Sequence, residues 1–234
     1  MRIVFYLLVA VVSGAVTFGL AVLIHRLSMK YRLYPRIRER DVHTRPTPRL
    51  GGVAMFLGMT VAMGVAAVLP AFGLVFDEPS RIIGLGAAAL IMVAVGVADD
   101  LWDLDWTVKL AAQILAAGVL AWQGIQLYTL PIGGQTIVSP YVSLIITVFA
   151  VVLVMNAVNF IDGLDGLVAG VAIIAGGVFF VYAYLLQSRA QTEYFNLASL
   201  TTAILIGACA GFWPLNRYPA KLFMGDAGAL LVGL

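Results

Sequence analysis

Asn156-Ala-Val-Asn159-Phe-Ile-Asp162-Gly-Leu-Asp165-Gly-Leu167 ends one apolar run, Val142 to Met155, and opens another, Leu167 to Leu186. Two amides and two carboxylates recur in it at three-residue spacing. A carboxylate against membrane-length apolar sequence is costly unless it stands at the water boundary or binds something. On an α-helix each three-residue step turns about 300°, so neighbours in the series share a face. The whole series drifts off that face unless the helix ends or tightens, and Gly163 and Gly166 permit such an end. The stretch therefore reads as the mouth of a membrane-embedded active site, at the junction of two spanning helices.

Composition agrees. Across 234 residues the mean hydropathy is +1.01, with 62% hydrophobic and 11% charged residues. Soluble domains carry about 25% charged residues, so this is an integral membrane protein. The single cysteine, Cys209, excludes an internal disulfide or a thiolate cluster, and two histidines, His25 and His43, argue against a histidine-built metal site. Arg2 followed by apolar Ile3 to Ile24 has no convincing small-residue cleavage site and reads as a retained first span.

A spanning helix needs about 20 mainly apolar residues. Segments 3–25, 51–70, 81–98, 108–123, 140–158, 167–186 and 197–213 qualify, the fourth being short, and an eighth begins near 228. The expected fold is all-α, a polytopic membrane helix bundle of about 7–8 transmembrane helices forming a single domain over 1–234. The connection 26–50 holds Arg26, Lys30, Arg32, Arg36, Arg38, Arg40, Arg45 and Arg49, eight of the fourteen basic residues. Such a loop belongs in the cytoplasm, which places the N-terminus outside. Alternation then puts 99–107, 159–166 and 214–227 on the cytoplasmic side, and with them Asp99, Asp100, Asp103, Asp105, Asp162, Asp165 and Asp226. That convergence suggests one polar site facing the cytoplasm. The outer connection 124–139 reads as a Gly/Pro turn with room for a short hairpin.

Four stretches could carry chemistry. In Asp99-Asp100-Leu-Trp-Asp103-Leu-Asp105, adjacent carboxylates repel, and a divalent cation or a cationic partner would relieve them; a solvated helix cap explains them as well. Mg²⁺ prefers a few carboxylates plus substrate phosphates. Asp162 and Asp165 stand beside glycines that let backbone amides approach a ligand; a polar turn is the plainer reading. Asn216-Arg217-Tyr-Pro-Ala-Lys221-Leu-Phe223-Met-Gly-Asp226 combines an amide, two cations, an aromatic ring and a carboxylate. Phe223 is a packing residue or a platform for a flat ring, and Asp226 is a helix cap or a metal ligand. His43-Thr-Arg45-Pro-Thr-Pro48-Arg49-Leu-Gly51-Gly52 is a shaped entry whose arginines could hold phosphate or touch anionic headgroups. Lys109 could reach a phosphate or snorkel to the surface, and Gly207 with Gly211 reads as a helix-packing pair. Together these loops suit a reaction between a phosphorylated soluble donor and a lipid phosphate, whose catalysis is positioning and charge stabilisation at phosphorus.

In this order, Asp41-Val-His43…Thr47-Pro-Arg-Leu-Gly-Gly52, Asp99-Asp100 with Lys109, Asn156 to Leu167, and Asn216 to Asp226, the chain resembles the polyprenyl-phosphate N-acetylhexosamine-1-phosphate transferases (glycosyltransferase family 4), nearest the N-acetylglucosamine branch. The resemblance implies transfer of a sugar-1-phosphate from a UDP-sugar to polyprenyl phosphate with release of UMP, using Mg²⁺ or alternatively Mn²⁺. It implies Asp226 as metal ligand, Asp99 and Asp100 as the acidic pair at the lipid phosphate, with Asp99 a candidate base, and Asp162 in a catalytic role. It further implies substrate contacts from His43, Arg45, Lys109, Asn156, Asn159, Asp165, Asn216 and Phe223, the last two at uracil. The expected partners are the two substrates and the cell membrane, with no nucleic acid and a homodimer left open. Family members usually continue for two or three more spans and a histidine-bearing loop. The 234-residue chain is therefore expected to be incomplete at its C-terminus and inactive alone.

Three other readings compete. A transporter predicts carboxylates near mid-span rather than at span ends. An aromatic prenyltransferase accounts for the Asp99–Asp103 run but not for Asn216–Asp226 or Pro48–Gly52. A CDP-alcohol phosphotransferase needs Asp-Gly followed by Ala-Arg, where this chain has Leu164-Asp165.

Overall fold

The protein is described here by a computed structural model covering residues 2–31, 47–131, 135–137, 139–189 and 196–234. Helix α1 spans Arg2–Tyr31 and α2 spans Gly51–Val68; a 3₁₀ turn (Pro70–Phe72) and the short α3 (Gly73–Phe76) lead to α4 (Pro79–Trp102) and α5 (Trp106–Trp122). A two-stranded hairpin, β1 (Thr129–Pro131) against β2 (Gln135–Ile137), precedes α6 (Pro140–Ile161), α7 (Leu167–Arg189), α8 (Leu197–Asn216) and α9 (Gly225–Gly233). The hairpin is antiparallel, with Thr129 opposite Ile137, and it lies in the Gly/Pro connection where the sequence leaves room for one.

Six of these helices are long and apolar enough to cross a membrane: α1, α2, α4, α6, α7 and α8. The short fourth segment is α5, an apolar helix of 17 residues. At 1.5 Å per residue it reaches about 25 Å, slightly less than a hydrocarbon core. The all-α multi-pass bundle expected from hydropathy is therefore the observed fold.

Boundaries differ where polar side chains find helical partners. Helix α4 continues past residue 98 through Asp99 and Asp100 and stops at Asp103, whose φ is 55°. Helix α9 starts at Gly225, so Asp226 is its second residue rather than a cap ahead of it. Asp105 caps α5, accepting from the Thr107 N–H at 2.8 Å. Helix α6 ends at Ile161, and Gly166 takes a positive φ of 73° in the turn to α7, as the glycines of the opening stretch allow.

Lipid tails offer no hydrophobic drive between helices, so close contact needs small residues. Helix α1 packs between α2 and α8; a Cβ on Gly207 or Gly211 would run into the backbone of Ala10 or Gly14. This is the packing role that the spacing of these two glycines suggests. Helix α9 is the hub of the other half, with α2, α4 and α6 around it. A Cβ on Gly52 or on Gly96 would overlap the α9 backbone at Gly228 or Ala227. The α9 residues Ala227, Ala229 and Leu230 are buried. At the bundle end where α1 starts, Tyr6 packs against Phe72, Phe180 and Tyr184.

Candidate active site

At the opposite end, α4, α5, α6 and α9 bring four polar side chains to one point. Lys109 Nζ donates to Asp99 Oδ2 at 3.0 Å and to Asp226 Oδ2 at 3.4 Å. The Asp99 and Asp226 carboxylates lie close to each other, and the Asn159 side chain stands beside Asp226. Asp99 also accepts from the Leu104 N–H at 2.8 Å, which fixes its rotamer just before α4 ends. The Asp99 side chain is only 9% exposed, whereas Lys109 and Asp226 keep 28% and 27%. A ligand arriving from water thus meets Lys109 and Asp226, with Asp99 behind them.

Asp100 points elsewhere. Its Oδ1 accepts from the Asp226 N–H at 3.2 Å and its Oδ2 from the Ala227 N–H at 3.5 Å. The same region is clamped from α2. The Phe223 N–H donates to the Pro48 carbonyl at 2.9 Å, and the N–H groups of Gly51 and Gly52 donate to the carbonyls of Phe223 and Met224 at 2.9 and 2.8 Å. The first amides of α2, which have no intrahelical acceptor, are satisfied by the chain leading into α9. Sequence alone offers His43–Gly52 as an entry whose arginines could hold phosphate; over its described part, Pro48–Gly52, the backbone forms a ladder that fixes the Phe223–Met224 segment. A Cβ on Gly51 would strike Phe212 and the Phe223 carbonyl, so the glycine serves close approach.

The opening series of amides and carboxylates divides among three neighbours. Asn156 Nδ2 donates to Gln113 Oε1 on α5 at 2.6 Å and to the Val152 carbonyl at 2.8 Å. Asn159 faces Asp226. Asp162, at the C-cap of α6, is close enough to sense both Asp226 and Asp100. Burial, then the charges of Asp226 and Asp100, push its carboxyl up to about 8, against a pull down from Arg49. Asp165 Oδ2 accepts from the Ala220 N–H at 2.9 Å. Asn216, expected at a uracil ring, is 1% exposed. Its Oδ1 accepts from the Gly166 N–H at 3.1 Å and its Nδ2 donates to the Leu222 carbonyl at 3.2 Å. Asn216 and Asp165 thus tie the α6–α7 turn to the α8–α9 loop, which carries the half-buried Phe223. His43 and Arg45 lie outside the described residues.

One contributor goes unselected by sequence reasoning, and a second takes a role other than the one expected. Gln113 is 3% exposed, one helical turn from Lys109 on the same face of α5, and is the one polar residue between Lys109 and Trp122; a lone amide in an apolar run was the available signal. Arg49, which the sequence offers as a phosphate-holding arginine, acts electrostatically on both Asp100 and Asp162. Among the described residues no group of three His, Cys, Asp or Glu side chains is placed to hold a metal ion by itself. The donor set suits a hard cation that completes its shell with water and ligand phosphates, with Asp226 the most accessible carboxylate at the centre.

The sequence profile described as Glycosyl transferase family 4 matches residues 82–234. The chain is 38% identical over 232 residues to the decaprenyl-phosphate N-acetylglucosaminephosphotransferase of Mycolicibacterium smegmatis, covering 97% of this chain and 57% of that protein. It is 36% identical to the protein of the same name from Mycobacterium leprae, covering 97% and 58%. It is 31% identical to the phospho-N-acetylmuramoyl-pentapeptide-transferase of Desulforudis audaxviator, covering 97% and 70%. The chain therefore spans little more than half the length of the two mycobacterial relatives.

Proposed function

The chain belongs to glycosyl transferase family 4, and on that premise we propose that it serves transfer of N-acetylglucosamine-1-phosphate, or a related N-acetylhexosamine-1-phosphate, from a UDP-sugar to polyprenyl phosphate at the cytoplasmic membrane face. The observation that carries the proposal is the meeting of Asp99, Lys109, Asn159 and Asp226 from four helices at one end of the bundle. The arginine-rich 26–50 connection joins α1 to α2 at that same end, which supports a cytoplasmic site.

Two anionic substrates must approach each other there. An oxygen of the lipid phosphate forms a bond to the sugar-bearing phosphorus of the donor. The bond from that phosphorus to the bridging oxygen breaks, and its electron pair leaves with UMP. Lys109 offsets charge on the reacting phosphates, which is the main catalytic task in phosphoryl transfer. Asp99, held by Lys109 and the Leu104 amide, accepts the proton that a phosphate monoester can still carry near neutral pH. Asn159 orients the Asp226 carboxylate. Mg²⁺, or Mn²⁺ in its place, would be held by Asp226 and would supply charge neutralisation between donor phosphates.

The test is UMP release from UDP-N-acetylglucosamine by membranes containing the full-length gene product, with and without added decaprenyl phosphate. Release that needs both the lipid and a divalent cation is expected. No release from any UDP-N-acetylhexosamine would overturn the reading, and release from a different one would reassign the sugar.

A further inference from the structure

Asp99 and Asp100 are neighbours in sequence, but a helix turns about 100° per residue, and the two carboxylates leave α4 in different directions. Asp99 meets side chains, those of Lys109 and Asp226. Asp100 meets backbone, the N–H groups of Asp226 and Ala227 in the first turn of α9. Helix α9 has Met224 at its N-cap, in a helical conformation (φ −72°, ψ −26°) and without a side-chain cap hydrogen bond. The first-turn donors of a helix have no partner of their own, and a short side chain just ahead of the helix commonly supplies one. Here the acceptor arrives from another helix, 126 residues away in sequence.

The local backbone is shaped for this arrangement. Gly225 has a φ of 68°, which side-chain-bearing residues rarely adopt. A Cβ there would overlap both the Asp100 carboxylate and the Arg49 carbonyl. The Asp100 carboxyl also stands at the N-terminal, positive end of the α9 dipole. Directly after Gly225 comes Asp226, so whatever fixes the first amides of α9 fixes where the Asp226 side chain starts.

We propose that Asp100 is a positioning residue: it caps α9 from α4 and thereby sets the Asp226 carboxylate against Lys109 and Asp99. The adjacent aspartates divide the work. Asp99 partners the Lys109 ammonium from behind, and Asp100 holds the backbone that presents Asp226. The inference rests on the transferase reading for its activity arm, whereas its structural arm stands independently.

Hydrogen exchange and Mg²⁺ activation test it on the full-length protein. Amides of a peptide covering 224–231 should exchange about tenfold faster in Asp100→Ala, the scale of a lost cap, less so in Asp100→Asn, and at the wild-type rate in Asp99→Ala. Asp100→Asn keeps an acceptor oxygen and should raise the Mg²⁺ concentration for half-maximal UMP release while recovering turnover to within about threefold of wild type at saturating Mg²⁺. Asp226→Asn should not recover at any Mg²⁺ concentration. Unchanged exchange in Asp100→Ala overturns the proposal, and so does an Asp100→Asn protein as dead at saturating Mg²⁺ as Asp226→Asn. If the alanine variant does not fold, the isosteric asparagine variant carries both measurements. If even the wild-type protein releases no UMP, the transferase reading fails and the exchange result alone decides the role of Asp100.

Discussion

At the end of the bundle where α1 starts, Tyr6 lies among Phe72, Phe180 and Tyr184 at ring-centroid distances of 5.6, 5.3 and 6.4 Å. At the other end, Lys109 stands 3.0 Å from Asp99 and 3.4 Å from Asp226, and backbone bonds tie residues 48–52 to 223–224. Aromatic rings close the first end by dispersion and edge contacts, which are individually small and tolerate shifts. The second end keeps charge in a poorly solvated place, where each group must be partnered and each partner placed. One end therefore needs volume and the other needs geometry, and substitutions should separate the two requirements.

The largest loss should come from Asp226→Asn, which keeps shape and removes charge. UMP release should fall at least about 10³-fold, as expected when a main stabiliser of phosphoryl charge is removed, while the protein still extracts and elutes like wild type. Retained turnover would take Asp226 out of the metal role. Next is Gly225→Ala. Its methyl group would collide with Asp100 and the Arg49 carbonyl, displacing Asp226; misplacement by about 1 Å can cost about 10²-fold. An active Gly225→Ala protein would show that the geometry at this end is looser than described.

The Gln113–Asn156 pair joins the two helices that deliver Lys109 and Asn159, and it should matter less. Intramembrane side-chain hydrogen bonds average about 0.6 kcal/mol, so Gln113→Leu should lower turnover about threefold. Exchanging the two residues, Gln113→Asn with Asn156→Gln, should restore more activity than either single change leaves. A swap no better than the singles would remove the pairing argument.

An effect on stability rather than turnover is expected from Asp162. Its folded carboxyl titrates at about 8 against an ordinary value of 3.8, so between these values the folded state holds a proton that the unfolded chain has lost. Stability of the metal-free protein should therefore fall as pH rises from about 4 to 8. Thermal midpoints in chelator should show this slope, and Asp162→Asn should flatten it. An identical slope in both proteins would assign the dependence elsewhere. The smallest effect on turnover belongs to Phe72→Ala. Removing a fully buried ring should lower the melting point by several degrees, yet leave UMP release within about twofold at 25 °C. A large loss of activity would mean that the two ends communicate.

Much of this was legible in the chain. Hydropathy places the spans because a helix in lipid must carry membrane-length apolar sequence whatever it packs against. Lys109, Asp99, Asn159 and Asp226 could be put on one membrane face by alternation alone. The partners could not. Asp100 and Asp226 look alike as aspartates near span ends; only the fold sends one to a backbone and the other to a cation. Asn216 is an amide in a polar loop by sequence and a buried strut in space. Pro48–Gly52 is shaped for close approach, and periodicity does not say whether the thing approached is a ligand or, as here, main chain.

The tie between Asp100 and the α9 amides also has a consequence for the order of events during synthesis. Helix α4 enters the membrane carrying two adjacent carboxylates well before the residues that will engage them exist. Lys109, ten residues on, can partner Asp99 early. Asp100 must wait until 126 further residues have been made and α9 slides in among α2, α4 and α6. Until then an unengaged acidic side chain remains at the end of an inserted helix. The growing chain should be most open to membrane chaperones, and most vulnerable to quality-control proteases, in the interval between the exit of α4 and the docking of α9.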